Sequence, residues 1–146
     1  MREIKFRAWD KNDKRIFIDP QMIDFYNKKI GYMQYQTEYM PDTSYSIPVG
    51  FEEFEYSELM QYTGLKDMRE KEIYEGDIVR FYPQAPRSEE LPNPRYGEMG
   101  EIFFDIGSFA VRPIDKKREV LEFFLNELGD WVVVGNIYEN KELVNE

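Results

Sequence analysis

Apolar residues in this chain come in short runs, and most of those runs alternate with polar residues. Ile4-Lys5-Phe6-Arg7-Ala8-Trp9 is one such run, and a period of two puts successive side chains on opposite faces, as in a half-buried strand. Asp10-Lys11-Asn12-Asp13-Lys14 is rich in turn formers and Arg15-Ile16-Phe17-Ile18 can return beside the first run, which predicts an N-terminal hairpin. Asp10, Asn12 and Asp13 lack the spacing, central Gly and distal Glu of a calcium loop. Ile78-Val79-Arg80-Phe81-Tyr82 stops at Pro83, as a strand does. Residues 101–106 and 109–112 flank Gly107-Ser108 and read as a second hairpin. Trp131-Val132-Val133-Val134 is apolar on both faces, the pattern of an interior strand. Aromatic residues make up 16% of the chain, and large, stiff rings suit pleated surfaces.

One stretch has helical spacing. Over residues 116–128, Val120, Leu121, Phe124, Leu125 and Leu128 form a stripe, with Arg118, Glu119, Glu122, Asn126 and Glu127 opposite and Gly129 as a stop. Residues 20–56 show no clean period, and residues 83–97 hold four prolines in a loop expected to be mobile or ordered by a partner. Ser57 can cap a turn into Leu59-Met60-Gln61-Tyr62, which reads equally as β, and Asn140 can cap a short turn over residues 141–144. The order of elements predicts a mainly β fold: a strongly bent sheet or partly open small barrel with one amphipathic helix at about 116–128. A length of 146 residues suits one domain, with a hairpin and a less regular segment in 1–56 and a barrel-like core in 57–146.

Chemistry is limited by what is missing. The chain has no Cys and no His, which excludes disulfides, thiolate sites, imidazole bases and the common zinc sets. The net charge is −10 and uneven: residues 1–18 carry six cations against three anions, residues 38–77 three against eleven, and residues 119–146 one against seven. Such a surface repels duplex DNA, so nucleic acid is not an expected partner. No run reaches the roughly 18–20 apolar residues of a membrane span, and the N-terminus lacks a signal-peptide core. The expected location is the cytoplasm of the cell that makes the chain.

Leu59-Met60-Gln61-Tyr62-Thr63-Gly64-Leu65-Lys66-Asp67, Glu72-Ile73-Tyr74-Glu75-Gly76-Asp77-Ile78-Val79 and Val134-Gly135-Asn136-Ile137-Tyr138-Glu139-Asn140 follow in fixed order. With the opening Arg2-Glu3-Ile4-Lys5-Phe6-Arg7-Ala8-Trp9-Asp10, they resemble the YopX family of phage and prophage proteins over nearly the whole chain. Met68-Arg69-Glu70 replaces the Lys-Asn-Gly-type turn frequent in that family, which predicts a looser or locally helical link from Asp67 to Ile73. Lys141 stands where proline is common. The resemblance implies a small β-rich accessory protein with no established activity and no functional residues to transfer.

Gly64, Gly76 and Gly135 sit where positive φ or close backbone approach is expected, so these motifs are read first as specifying the fold. Ile73-Tyr74-Glu75 and Ile137-Tyr138-Glu139 repeat a tripeptide. If surface-exposed, Tyr74, Glu75, Asp77, Tyr138 and Glu139 form a candidate protein-contact surface. The expected function is non-enzymatic, through protein–protein contacts of a homo-oligomer, with a host or phage protein as a possible further partner and no cofactor. The acidic segments suit a basic partner, including a host nucleic-acid-binding protein occupied by an acidic decoy. Two alternatives stand beside this. Phe81, Tyr82 and Phe103 could stack on bases while Lys5, Arg7, Lys11, Lys14 and Arg15 meet phosphates, as in a nucleic-acid-binding small barrel. Asp67, Glu72, Glu75 and Asp77 could hold Mg²⁺ in a metal-assisted hydrolase.

Overall fold

A computed structural model describes residues 3–83, 94–118, 122–125 and 130–144. Strands dominate, and the described helical content is two 3-10 turns, so the mainly β class holds. The chain divides into two compact units, Phe6–Leu59 and Met1–Lys5 with Met60–Glu146.

In the first unit, β1 (Phe6–Asp10) and β2 (Arg15–Ile18) form the expected hairpin, with Ala8 opposite Phe17. Asp10 closes its turn by accepting the Asn12 N–H at 3.0 Å. Asp24 does the same between β3 (Met22–Asp24) and β4 (Lys29–Met40), accepting the Tyr26 and Asn27 N–H groups. Those donors favour the ionised form and hold the Asp24 carboxyl below the usual aspartate range. β5 (Thr43–Glu55) completes a three-stranded sheet in the order β3-β4-β5. Ala8, Phe17, Ile30 and Tyr56 form the core here, with Phe17 and Phe54 stacked at 4.9 Å.

The second unit begins within β6 (Glu58–Lys66), a strand throughout, so β describes residues 59–62 and a capped turn does not. β6 pairs with β7 (Glu72–Tyr74). A five-stranded antiparallel sheet follows: β8 (Asp77–Phe81), β9 (Met99–Asp105), β10 (Ser108–Pro113), β11 (Phe123–Phe124) and β12 (Trp131–Asn136), in the order β11-β10-β9-β8-β12. Ile73, Val79, Phe81, Ile102, Val111, Phe123 and Trp131 make one apolar cluster. Phe81 and Trp131 lie 4.9 Å apart, within the range where aromatic pairs add to area burial.

The structure departs from the sequence expectation at four places. The helix at 116–128 is not formed in the described residues: Lys116–Arg118 is a 3-10 turn, and Phe123 and Phe124 pair with Val111 and Ala110 as β11. Residues 119–121 and 126–129 of that helix lie outside the described residues. Ring burial decides the outcome, because pairing puts Phe123 against Trp131 at 6.5 Å in the core, and packing of this kind overrides helical spacing. Second, β12 is an edge strand. Its outer edge is covered, since the Met68 N–H reaches the Trp131 carbonyl at 3.0 Å and the Val133 N–H reaches Asp67 at 2.9 Å, one of the ways proteins protect an edge. Third, the β9–β10 turn is Ile106-Gly107, one residue earlier than expected, with both φ angles positive (45° and 84°). Most of the proline-rich loop, residues 84–93, lies outside the described residues. Fourth, the final turn (Lys141–Leu143) is present, but the Asn140 side chain does not cap it.

Candidate protein-contact surface

The five residues singled out from the sequence do not form one exposed patch. Tyr74 is 5% exposed and Asp77 1%, so both leave the contact surface; Glu75 and Tyr138 are half-buried, and Glu139 is exposed. The reason is local. Asp77 folds back to accept the Tyr74 N–H at 2.8 Å, which closes the Glu75-Gly76 turn. Gly76 has φ +86°, and a Cβ there would meet Met60 Sδ at 3.3 Å. Its carbonyl accepts the Ile137 N–H at 2.9 Å and so joins the two tyrosine motifs through backbone.

The second motif is also a folding device. Asn136 Oδ1 accepts the N–H groups of Tyr138 and Glu139 at 3.0 and 2.8 Å, and its amide donates to Glu139. Asn140 Oδ1 accepts the Asn136 N–H at 3.0 Å. A Cβ on Gly135 would lie 2.5 Å from that oxygen, so only glycine leaves room for this bond. Asp67 is likewise buried, and it accepts N–H groups from Arg69, Lys71 and Val133 at 2.8 to 2.9 Å. Glu70 takes the positive φ (66°) that an Asn-Gly turn would supply. The link is therefore a pinned turn, where a looser or helical one was expected. No group of three or more acidic side chains among the described residues is placed to hold a metal.

Four of the groups proposed to meet nucleic acid are engaged or buried, while Lys11 and Lys14 are exposed. Lys5 pairs with Glu72 and, at 3.3 Å, with Glu3, and these carboxylates raise its pKa. Arg15 lies 4.4 Å over Phe17, and Arg7 and Phe81 are buried.

The feature with no counterpart in the sequence reading is the outer part of the β4–β5 hairpin. β3 pairs only with Lys29, Ile30 and Gly31 of β4, so beyond them the arm is two strands wide. Met33 N–H to Gln21 and Gln34 to Glu52, both at 2.6 Å, anchor its base. Past that point all of β5 to Phe51 is exposed. Tyr45 and Ile47 share one face, paired across to Glu38 and Gln36. Tyr35 and Tyr39, four apart on β4, share the other, and Tyr39 is 82% exposed. Residues 43–51 carry no charge. An isolated two-stranded ribbon is marginal in water, and a long, uncharged edge is the kind that recruits another strand.

The chain is thus a mainly β protein of antiparallel hairpins whose motifs build turns and which carries one uncovered apolar arm. It belongs to the YopX family, whose model, described as YopX protein, matches residues 5–145. The crystal structure of protein EF1440 from Enterococcus faecalis is similar to it, at 30% sequence identity over 99% of this chain and 100% of that chain, with a TM-score of 0.62. A search among curated proteins finds no match.

Proposed function

We propose that this protein is a non-enzymatic phage or prophage accessory protein that acts through protein–protein contacts and self-associates through the β4–β5 arm. The observation that carries the reading is the arm's uncovered apolar surface. Seven large apolar side chains between Tyr35 and Phe51 are 38% to 82% exposed. Together they leave on the order of 800 Å² in water, about the share one partner contributes to a standard interface.

The occupant this surface suits is a second copy. A basic partner would be drawn to the acidic segments, whereas residues 43–51 offer it no charge. Two copies can meet there without the like-charge repulsion that a chain of net charge −10 would otherwise impose. β5 ends its sheet's strand order, and an antiparallel β5 from a two-fold mate would extend that sheet. The proposed setting is the cytoplasm of the bacterial host. No helix among the described residues is long and apolar enough to cross a membrane.

Sedimentation of the full chain tests this. The wild type is expected at a multiple of 17.6 kDa, and Tyr45→Glu/Ile47→Glu at a single chain mass with unchanged circular dichroism. A wild type that stays monomeric at high concentration, or an assembly unaffected by the double substitution, would contradict the proposal.

A further inference from the structure

A second feature, independent of the arm, lies in the unit Met1–Lys5 with Met60–Glu146. Residues 95–99, at the start of β9, and residues 114–118, leaving β10, line a solvent-open cavity of about 580 Å³, a volume typical of small-ligand sites. Its charge is opposite to that of the chain. Arg95, Lys116, Lys117 and Arg118 line it against Glu98 and Asp115, four cations to two carboxylates, a local balance of +2 where the whole chain carries −10.

Both carboxylates are occupied by the fold. Glu98 Oε2 accepts from Arg118 Nε at 2.7 Å, and Oε1 accepts from Arg118 Nη2 and the Arg95 N–H, each at 2.9 Å. This two-point pairing fixes the guanidinium plane and, with both side chains nearly buried, forms a rigid floor. Asp115 accepts the Lys117 N–H at 3.0 Å. The side chains of Arg95, Lys116 and Lys117 are exposed and have no carboxylate within ion-pair distance among the described residues. Beside them, the Tyr96 ring is 77% exposed and makes an edge contact with Tyr82 at 5.4 Å.

We infer that this cavity binds a nucleotide: the cations Arg95, Lys116 and Lys117 take the phosphate, and the ring of Tyr96 takes the base. Cations with no carboxylate partner among the described residues, in a strongly acidic chain, attract an anion, a phosphate accepts several charge-assisted hydrogen bonds at once, and a tyrosine ring left in water stacks on a base of any identity. An acidic peptide would satisfy the cations but leave the ring unused. The nucleotide can be free or can be the 5′ end of a single strand, and the two share this chemistry.

The test is a nuclear magnetic resonance titration of the full chain with the four nucleoside 5′-monophosphates, adenosine, inorganic phosphate and a 5′-phosphorylated oligothymidylate. Shifts confined to residues 94–99 and 114–118 are expected with the monophosphates. Adenosine should bind at least about tenfold more weakly, the ratio expected for one lost charge-assisted phosphate contact. Arg95→Gln/Lys117→Gln should lose about tenfold in affinity with an unchanged melting temperature, because both side chains are exposed. Tyr96→Ala should weaken monophosphate binding and leave inorganic phosphate unaffected. Oligonucleotide binding at least about tenfold tighter than the monophosphates assigns a strand end, and equal or weaker binding assigns the free nucleotide. No shifts with any monophosphate, shifts elsewhere in the chain, or affinity unchanged in Arg95→Gln/Lys117→Gln would overturn the inference.

Discussion

Two hairpins of this protein are made of similar residues and end in opposite surroundings. β9–β10 alternates apolar and polar side chains, turns at Ile106-Gly107 and has strands on both sides, so Ile102 and Val111 have no solvent exposure. β4–β5 is longer, equally rich in aromatic and branched residues, and over its outer part has neither a third strand nor a covering face among the described residues. Strand formation is a local matter of residue type and turn chemistry, whereas burial depends on what else the chain brings alongside. The first hairpin is held by its own unit; in our account the second is held by another copy.

The largest expected effect separates these two kinds of stabilisation. Trp131→Ala removes a side chain that is 2% exposed and packed against Phe81 and Phe123, and a loss of about 3–5 kcal/mol is expected for such a truncation. Chemical denaturation should register it at every protein concentration. Tyr45→Glu/Ile47→Glu, by contrast, should change the stability of the dissociated chain by no more than about 0.5 kcal/mol. Should Trp131→Ala prove mild and the arm substitution severe, the roles of the two regions would be exchanged.

A smaller effect sharpens the same contrast. Ile106 is 95% exposed with φ 45°, a conformation that a β-branched residue adopts at a cost. Ile106→Asn restores the Asn-Gly pairing that two-residue hairpin turns favour, and a gain of about 1 kcal/mol is expected in thermal or chemical unfolding, from relief of left-handed strain. No gain would mean that the left-handed conformation costs Ile106 little in this turn.

Much of the fold was legible from residue pattern alone, for identifiable reasons. The β1–β2 and β9–β10 hairpins show because alternation and turn residues coincide. Residues 29–55 gave no period because Val49 is an extra residue opposite Gln34 and Tyr35, which inverts the alternation midway, and because neither face beyond it is buried. The stripe at 116–128 misled because Leu and Phe at helical spacing also suit a short strand once Phe123 can reach the core. Among the candidate residues, Tyr74 and Asp77 fail the condition of surface exposure on which the contact patch depends. Asp77 reaches back to the Tyr74 N–H three residues before it, the reverse of the forward bond by which Asp and Asn ordinarily mark a turn, so the residue pattern did not reveal it. The cavity cations were not singled out, since Arg95 and Lys116 to Arg118 meet only when β9 and β10 pair.

Amide hydrogen exchange measured at two protein concentrations tests the central claim most directly. Amides of β8, β9 and the buried part of β10 should exchange slowly at both, because local burial protects them. Amides of residues 34–51 should be protected at high concentration and exchange rapidly after dilution, as the partner arm leaves. Protection of the arm that is the same at both concentrations, or absent at both, would contradict an arm completed by a second copy.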